Sequence, residues 1–546
     1  MGRAVVLLAL GCALLLPAVA LGHAERPAYY PNWDKENQRF LEPVGEVPQY
    51  RTRGPSRVVC AGGRAATAKR IKRIFKGNSR KMRRLRAKRL EINQRCRYRT
   101  IQAAVDAAKN GDRILIMPGV YREEPSRRAP EPDPACKDLY VESENGTMVA
   151  SYEYQRQCPN AQNLIAIVGD GPDPDRKCDD KCNLQIEGMG RKPSDVRIVG
   201  ERSKLNVIRA DRADGIYLKN FEVELSDFNN IYIIETNGFR IDSVISHDSR
   251  EYGVLSFASD HGLYEHIDAY RNGDSGVYPG SGPEGHCKRY GIEIRYVDSH
   301  DNNIGYSGTA GNGVWAHHNK FHHNAAGITT DSFASGHPGM PQDCAKWEHN
   351  EIYSNNKDLF NAEMDAYCKR PIEERDDPEK VCPTFQTPVG TGILIAGGNG
   401  NITRNNYIWD NWRAGVMLMF VPALLRGSDS TGQSENNLLD QFDTSHRNKF
   451  VDNFMGVTPD GERDPNGVDF WWDEEGEGNC WSGNKAAPGS RIKSDPAVLP
   501  SCPQGSPMSV GNVVKIASQA TCATWDPIEN TDPPGCDWFT RPREPK

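Results

Sequence analysis

The chain has 546 residues and a formal net charge of −6, with 51 glycines and 15 cysteines. Leucine is sparse, while Gly, Asn, Asp and Tyr are plentiful, a mix that suits short strands and corners and argues against a helical bundle. After the first residues no segment is apolar enough to cross a bilayer, so no stable membrane span is expected.

Residues 1–24 read as a secretory signal peptide. Arg3 is the positive start, Ala4 to Leu16 is the apolar stretch, and Ala18-Val-Ala20 and Gly22-His-Ala24 are small-residue cleavage sites. The mature chain is therefore expected to be secreted. Cys12 lies in the leader, which leaves an even set of cysteines and argues for disulfides. Local spacing suggests Cys60–Cys96, Cys136–Cys158, Cys178–Cys182, Cys368–Cys382, Cys480–Cys502 and Cys522–Cys536. Cys287 and Cys344 are then left to pair across two loops. A zinc site at Cys178 and Cys182 is the alternative, with no second ligand pair to complete it.

Residues 25–96 divide in two. Residues 25–58, rich in Pro, Arg and aromatics, are expected to lie extended over another element. Residues 64–90 carry Ile71, Ile74, Phe75, Met82 and Leu85 at helical steps, with cations between them. Residues 69–99 hold fifteen Lys/Arg against Glu91 alone, a local +14 that leaves the rest near −20. This basic segment reads as a solvated helical face, or as a surface for anionic glycan, phosphate polymer or lipid headgroups. An exported chain whose cations lack stacking aromatics does not point to nucleic acid.

Thr100 to Tyr121 reads as a short amphipathic helix, a Gly-Asp turn, a buried strand and a Pro-Gly stop. It resembles the N-terminal capping helix and first strand of right-handed parallel β-helix proteins of the pectin-lyase-like superfamily. The resemblance covers 97–455 and implies an all-β fold, a right-handed parallel β-helix solenoid closed by the capping helix; residues 456–546, with the last four cysteines, read as a disulfide-rich C-terminal cap. A repeat supports it. Gly291 to Asn302 aligns without a gap on Gly313 to Asn324, and further glycine pairs recur 22 to 24 residues apart, the length of one coil. Insertions interrupt the coils at 278–290, 332–346, 361–390 and 421–447. The first two leave the same corner and, tied by Cys287–Cys344, are expected to wall a groove for an extended polymer.

The period turns the sequence into columns. Ile292, Ile294, Val314 and Ala316 point inward, and Glu293 lies beside Trp315 and Arg295 beside His317 on the outside. With corner residues Ser249, Asn272, Asn302, Asn324 and Asn356 as anchors, the position two before reads His247, Tyr270, His300, His322, Ser354. The position one before reads Asp248, Arg271, Asp301, His323, Asn355. Tyr270, Arg271, His300, Asp301, His322 and His323 then form one patch over three coils.

That patch suits proton transfer beside a uronate carboxylate, with Arg271 neutralising, His300 or His322 as base and Tyr270 as acid. Elimination makes this a lyase, and re-protonation from the opposite face a C5-epimerase. Asp298-Ser-His-Asp301 is similar to a short motif of alginate C5-epimerases, with serine where proline is expected. Hydrolysis through Asp298, Asp301 and Asp331 ranks below, since the paired aspartates of polygalacturonase-like enzymes are not seen. The alternative is a non-catalytic surface or matrix protein that binds glycan, in which His and Asp are corner polars beside an asparagine ladder.

No cofactor is required by this reading. A metal on His300, His322 and His323 is one alternative, and calcium on Asp460, Glu462, Asp464, Asn466 and Asp469 another, although their spacing misses the EF-hand pattern. Trp471, Trp472 and Trp481 read as buried cap residues or as a sugar-stacking surface. The partner expected is an acidic polysaccharide, met by a monomer. Asn145-Gly-Thr147 and Asn401-Ile-Thr403 fit the glycosylation sequon.

Overall fold

A computed structural model describes residues 25–28, 33–34, 39–40, 46–143, 146–170, 178–283, 285, 287–333, 337–375, 377, 379–423, 440–522 and 536–546. The leader and Asn145 lie outside these residues.

Short strands recur in threes, and every third one pairs in parallel with its counterpart one coil away. The result is three long sheets of 13, 11 and 11 strands, here sheets I, II and III. One coil shows the pattern: Ile292–Arg295 in sheet I, Asp298–His300 in sheet II, Ile304–Tyr306 in sheet III. This is the parallel β-helix implied by the resemblance. The register matches the alignment of the two repeats, with Glu293 opposite Trp315 and Arg295 opposite His317.

Inward residues build one continuous core of stacked Ile, Val, Phe and Tyr. Packing decides one glycine. A Cβ on Gly262 would meet the Phe239 ring at 2.1 Å and Ile292 at 2.8 Å, so the glycine leaves room for the aromatic on the coil before. At the corners, amides replace apolar contacts. Ser249, Asn272, Asn302, Asn324, Asn355, Asn411 and Asn466 hydrogen-bond in series between sheets II and III. A second series, Asn319 to Asn484, runs between sheets I and II. A third, Asn401, Asn448 and Asn479, runs between sheets III and I. Each satisfies backbone N–H groups that a sharp corner would otherwise strand.

The capping helix is Ile101–Asp106. Thr100 accepts from the Ala103 N–H, and Ile101, Ala104 and Val105 close the core. The basic segment forms two helices, Gly63–Ile74 and Arg80–Gln94. Gly77 at φ +137° breaks the run, and Ser79 starts the second helix by accepting from the Met82 N–H. At the other end the sheets continue past residue 455, through Cys480–Ser482 to Ser494–Asp495. The six disulfide pairs suggested by spacing and the remaining pair Cys287–Cys344 are all present, which fits an oxidising compartment. No described helix is long and apolar enough to cross a membrane. Glu25 and Arg26 dock on sheet III, where buried Arg26 pairs with Asp211 and Glu235 at 2.9 and 2.8 Å.

Candidate functional site: an imidazole and phenol row on sheet II

From Ile245–His247 to Tyr407–Trp409 the sheet II strands are three residues long, so one residue enters the core and two face outward. Ser246, Ala269, Ser299, Phe321, Ile352 and Ile408 are the fully buried middle residues. The third residues, His247, Tyr270, His300, His322, Tyr353 and Trp409, stand directly opposite one another on successive coils. Their rings stack in one row with centroids 4.7, 5.3, 5.2, 4.7 and 4.3 Å apart. The next residue on each coil takes a left-handed backbone to turn the corner: Asp248, Arg271, Asp301, His323, Ser354 and Asp410, with φ between 50° and 57°. All six candidate residues thus lie in two adjoining columns over three coils.

One anchor differs from the sequence reading. The ladder amide in its coil is Asn355, which accepts from Asn324, and not Asn356. The column therefore continues through Tyr353 and Trp409, and Ser354 occupies the corner.

Charges within the row are largely matched. Arg271 holds Asp248 with two bonds of 2.7 and 2.8 Å. Against the penalty of burial, Arg271 and His247 keep Asp248 at about 2. Burial opposes the charge of His300, but its hydrogen bonds to Asp268 (3.2 Å) and Asp301 (2.8 Å) outweigh it and raise its pKa to about 9. Burial likewise opposes the charge of Asp301, yet His300 and Lys357, at 2.9 Å, hold it well below the usual carboxylate range. His300 is thus an imidazolium near neutrality with both nitrogens engaged, a poor base and a fixed positive charge. Burial raises Tyr270 and Tyr353 to about 12, so both keep their protons.

His322 is placed differently. Its Nε2 lies 2.8 Å from Asp298 and its Nδ1 lies 2.7 Å from Nδ1 of His323. Two facing Nδ1 atoms share one proton, so one of the rings accepts. Burial, and then the neighbouring His322, favour the neutral form of His323. Asp298, His322 and His323 form a carboxylate–imidazole–imidazole chain ending at a solvent-facing ring.

The other candidates fall elsewhere. Asp331 is buried on sheet III and does not join Asp298 and Asp301 on sheet II. Asn466 belongs to the corner ladder and Asp469 accepts from the Lys493 N–H, so the calcium pentad is not a set of converging free oxygens. His300 and His322 are stacked face to face at 5.2 Å, a geometry that does not converge on a metal. Glu222, Glu224 and His247 do converge, but Arg197 already bonds both glutamates. Trp472 and Trp481 are buried in the core beside Phe450 and Phe470, which removes them as a sugar-stacking surface.

The stapled loops also lie apart from the row. They leave the corner between sheets III and I, whereas the row borders the corner between sheets II and III. The wall beside the row is the 361–390 insertion, with its helix Ala362–Cys368 and the Cys368–Cys382 bridge.

No family model matches the chain, and no curated protein does. Among solved structures it is similar to the A-module of a mannuronan C-5 epimerase of Azotobacter vinelandii, at 12% identity over 76% of this chain and 95% of that one, with a TM-score of 0.37. It is similar to a pectate lyase at 12% identity over 73% of each chain, with a TM-score of 0.32. It is similar also to a surface adhesin of Streptococcus pneumoniae at 9% identity over 76% of this chain and 91% of that one, with a TM-score of 0.38. The assignment of fold stands on the strand register of this chain.

Proposed function

We propose that the chain is a secreted β-helix protein acting on an acidic polysaccharide, and that sheet II moves a proton beside a uronate carboxylate in the manner of a lyase or C5-epimerase. The observation that carries this reading is the Asp298–His322–His323 chain set between the His300 cation and the protonated phenols of Tyr270 and Tyr353. His323 takes the proton from the sugar carbon through Nε2, the nitrogen not facing His322, and Asp298 stabilises the charge passed to the pair. His300 supports the carboxylate as negative charge builds on it. A phenol then acts as acid. If it protonates the leaving oxygen as the glycosidic C–O bond breaks, an unsaturated sugar results. If it returns a proton to the carbon from the opposite face, the sugar is inverted. In this assignment Arg271, engaged by Asp248, positions the row and does not contact substrate.

The test is incubation with a panel of uronate polymers, read by ultraviolet absorbance for unsaturated ends and by NMR for inverted residues. Turnover that disappears in His323→Ala supports the reading, and unchanged turnover overturns it. The pairing of charges inside the row favours a second reading, a non-catalytic glycan-binding protein. Binding without turnover across the panel selects it.

A further inference from the structure

Where the 361–390 insertion folds back on the corner of sheets II and III it encloses a cavity of about 400 Å³. One side is the corner itself, with Leu225, Asp248 and Arg271. The other is the inserted helix and its Cys368–Cys382 bridge. The volume lies within the range of small-ligand sites.

The cations around this cavity are not equivalent. Arg271 is held by Asp248, Lys369 by Asp365 at 3.1 Å and Lys380 by Glu363 at 2.8 Å. Arg202 and Arg375 have no carboxylate within ion-pair distance among the described residues. Arg202 donates to the Ser226 carbonyl at 3.2 Å, and Arg375 to the Arg370 carbonyl at 3.0 Å. Arg250 pairs with Asp227 at 3.5 Å. Asp377, also on the wall, accepts from the Glu379 N–H and pairs with none of the three guanidinium groups. Burial lowers the Arg202 pKa; the more distant Asp248 and Asp227 oppose it, and Arg375 and Arg250 add to it, while burial and then Arg250 lower that of Arg375. Two guanidinium groups without a directly paired carboxylate, beside a third that shares one, leave donors on a partly enclosed, disulfide-bridged space that an anion can fill.

We infer that this cavity is a binding site for an oxyanion carried on a sugar, a carboxylate or a sulfate, gripped by Arg202, Arg250 and Arg375. Forked guanidinium donors match either group in geometry. The inference goes beyond the proton-transfer reading, because it requires binding alone and no chemistry at the row.

The test is calorimetric titration of the whole protein with D-glucuronate, inorganic sulfate and neutral maltotetraose at constant ionic strength. Each titration is repeated on Arg202→Met with Arg375→Met, a pair that keeps the apolar stems and removes the charge. Wild-type protein is expected to bind at least one anion and not maltotetraose, and the double variant to bind it about a hundredfold more weakly. Which anion binds tells carboxylate from sulfate. Thermal unfolding at low salt separates a folding defect from a lost site, since removing mutual repulsion should leave the double variant at least as stable as wild type. Equal binding by wild type and variant, or no anion binding by wild type, overturns the inference. So does a double variant less stable than wild type. Wild-type protein that binds an anion but turns over no uronate polymer would count against the row and leave the cavity standing.

Discussion

Asp298 reaches diagonally across one coil to His322, its Oδ1 2.8 Å from Nε2. The two belong to different columns, so the pair fixes the tautomer of His322 and aims its other nitrogen at His323. If His323 is the base, Asp298→Asn keeps the shape and removes the charge that supports the imidazole pair. Turnover on the responsive uronate polymer should fall about a hundredfold with little change in KM, within the range set by general acid–base catalysis. A parallel rise in KM at constant kcat would place Asp298 in substrate binding instead.

The pH profile of stability follows from the same row. His300 and His247 titrate at about 9 when folded, above the ~6.5 of an unfolded chain. Their stabilisation is complete below ~6.5 and is lost as the pH climbs to about 9. Asp248 and Asp301 are depressed, so their contribution is present above ~3.9 and is lost as the pH falls toward 2. Tm measured by calorimetry should peak between these limits and decline from pH 7 to 9. In His300→Gln that decline should be shallower. A wild-type Tm that rises over this interval would contradict the ion-paired row.

Asn324 is fully buried in the corner ladder. Its Oδ1 accepts from the Asn302 N–H and side-chain amide, and its Nδ2 donates to Ser299 and Asn355. Asn324→Ala strands several of these groups at once, and should cost about 3 kcal/mol in urea unfolding, since each buried unsatisfied group costs ~1–3 kcal/mol. An effect below about 0.5 kcal/mol would mean that the ladder contributes little to stability.

Glu475 offers a change in the opposite direction. It is fully buried, and neither carboxylate oxygen has a hydrogen-bond partner among the described residues. Burial, then Asp473 and Asp443, raise its pKa to about 10. The folded state holds this proton where the unfolded chain, titrating near ~4.3, does not, so stability drains away as the pH rises between the two values. Glu475→Gln should raise Tm at pH 8 and leave it nearly unchanged at pH 4. An equal shift at both would point to packing, not ionisation.

The sequence made the columns legible because glycines and corner asparagines repeat at coil length, and register then follows by counting. It failed at Ser354-Asn355-Asn356, where two adjacent amides offer two anchors and only the fold selects Asn355. One residue of error there hid Tyr353 and Trp409, the two rings that complete the stacked row beyond His247 and the candidate residues. Electrostatics was less legible still. His300 is charged because Asp268 reaches it from the preceding coil and Asp301 from its own corner, a diagonal relation that no single column displays. The loops were legible as a bridged pair through Cys287 and Cys344, but which sheet they flank depends on the order of corners around the coil.

The corner ladder bonds Asn302 to Asn324 across 22 residues and Asn355 to Asn411 across 56, with side-chain amides 3.2 and 3.1 Å apart. Closing the longer stretch costs only about 0.8 kcal/mol more in chain entropy, which grows with the logarithm of length. Chain length at this corner is thus nearly free. A whole folded lobe can be gained, lost or exchanged between two amides while the sheets stay in step, so the surface above sheet II can be rewritten by insertion without renegotiating the core beneath it.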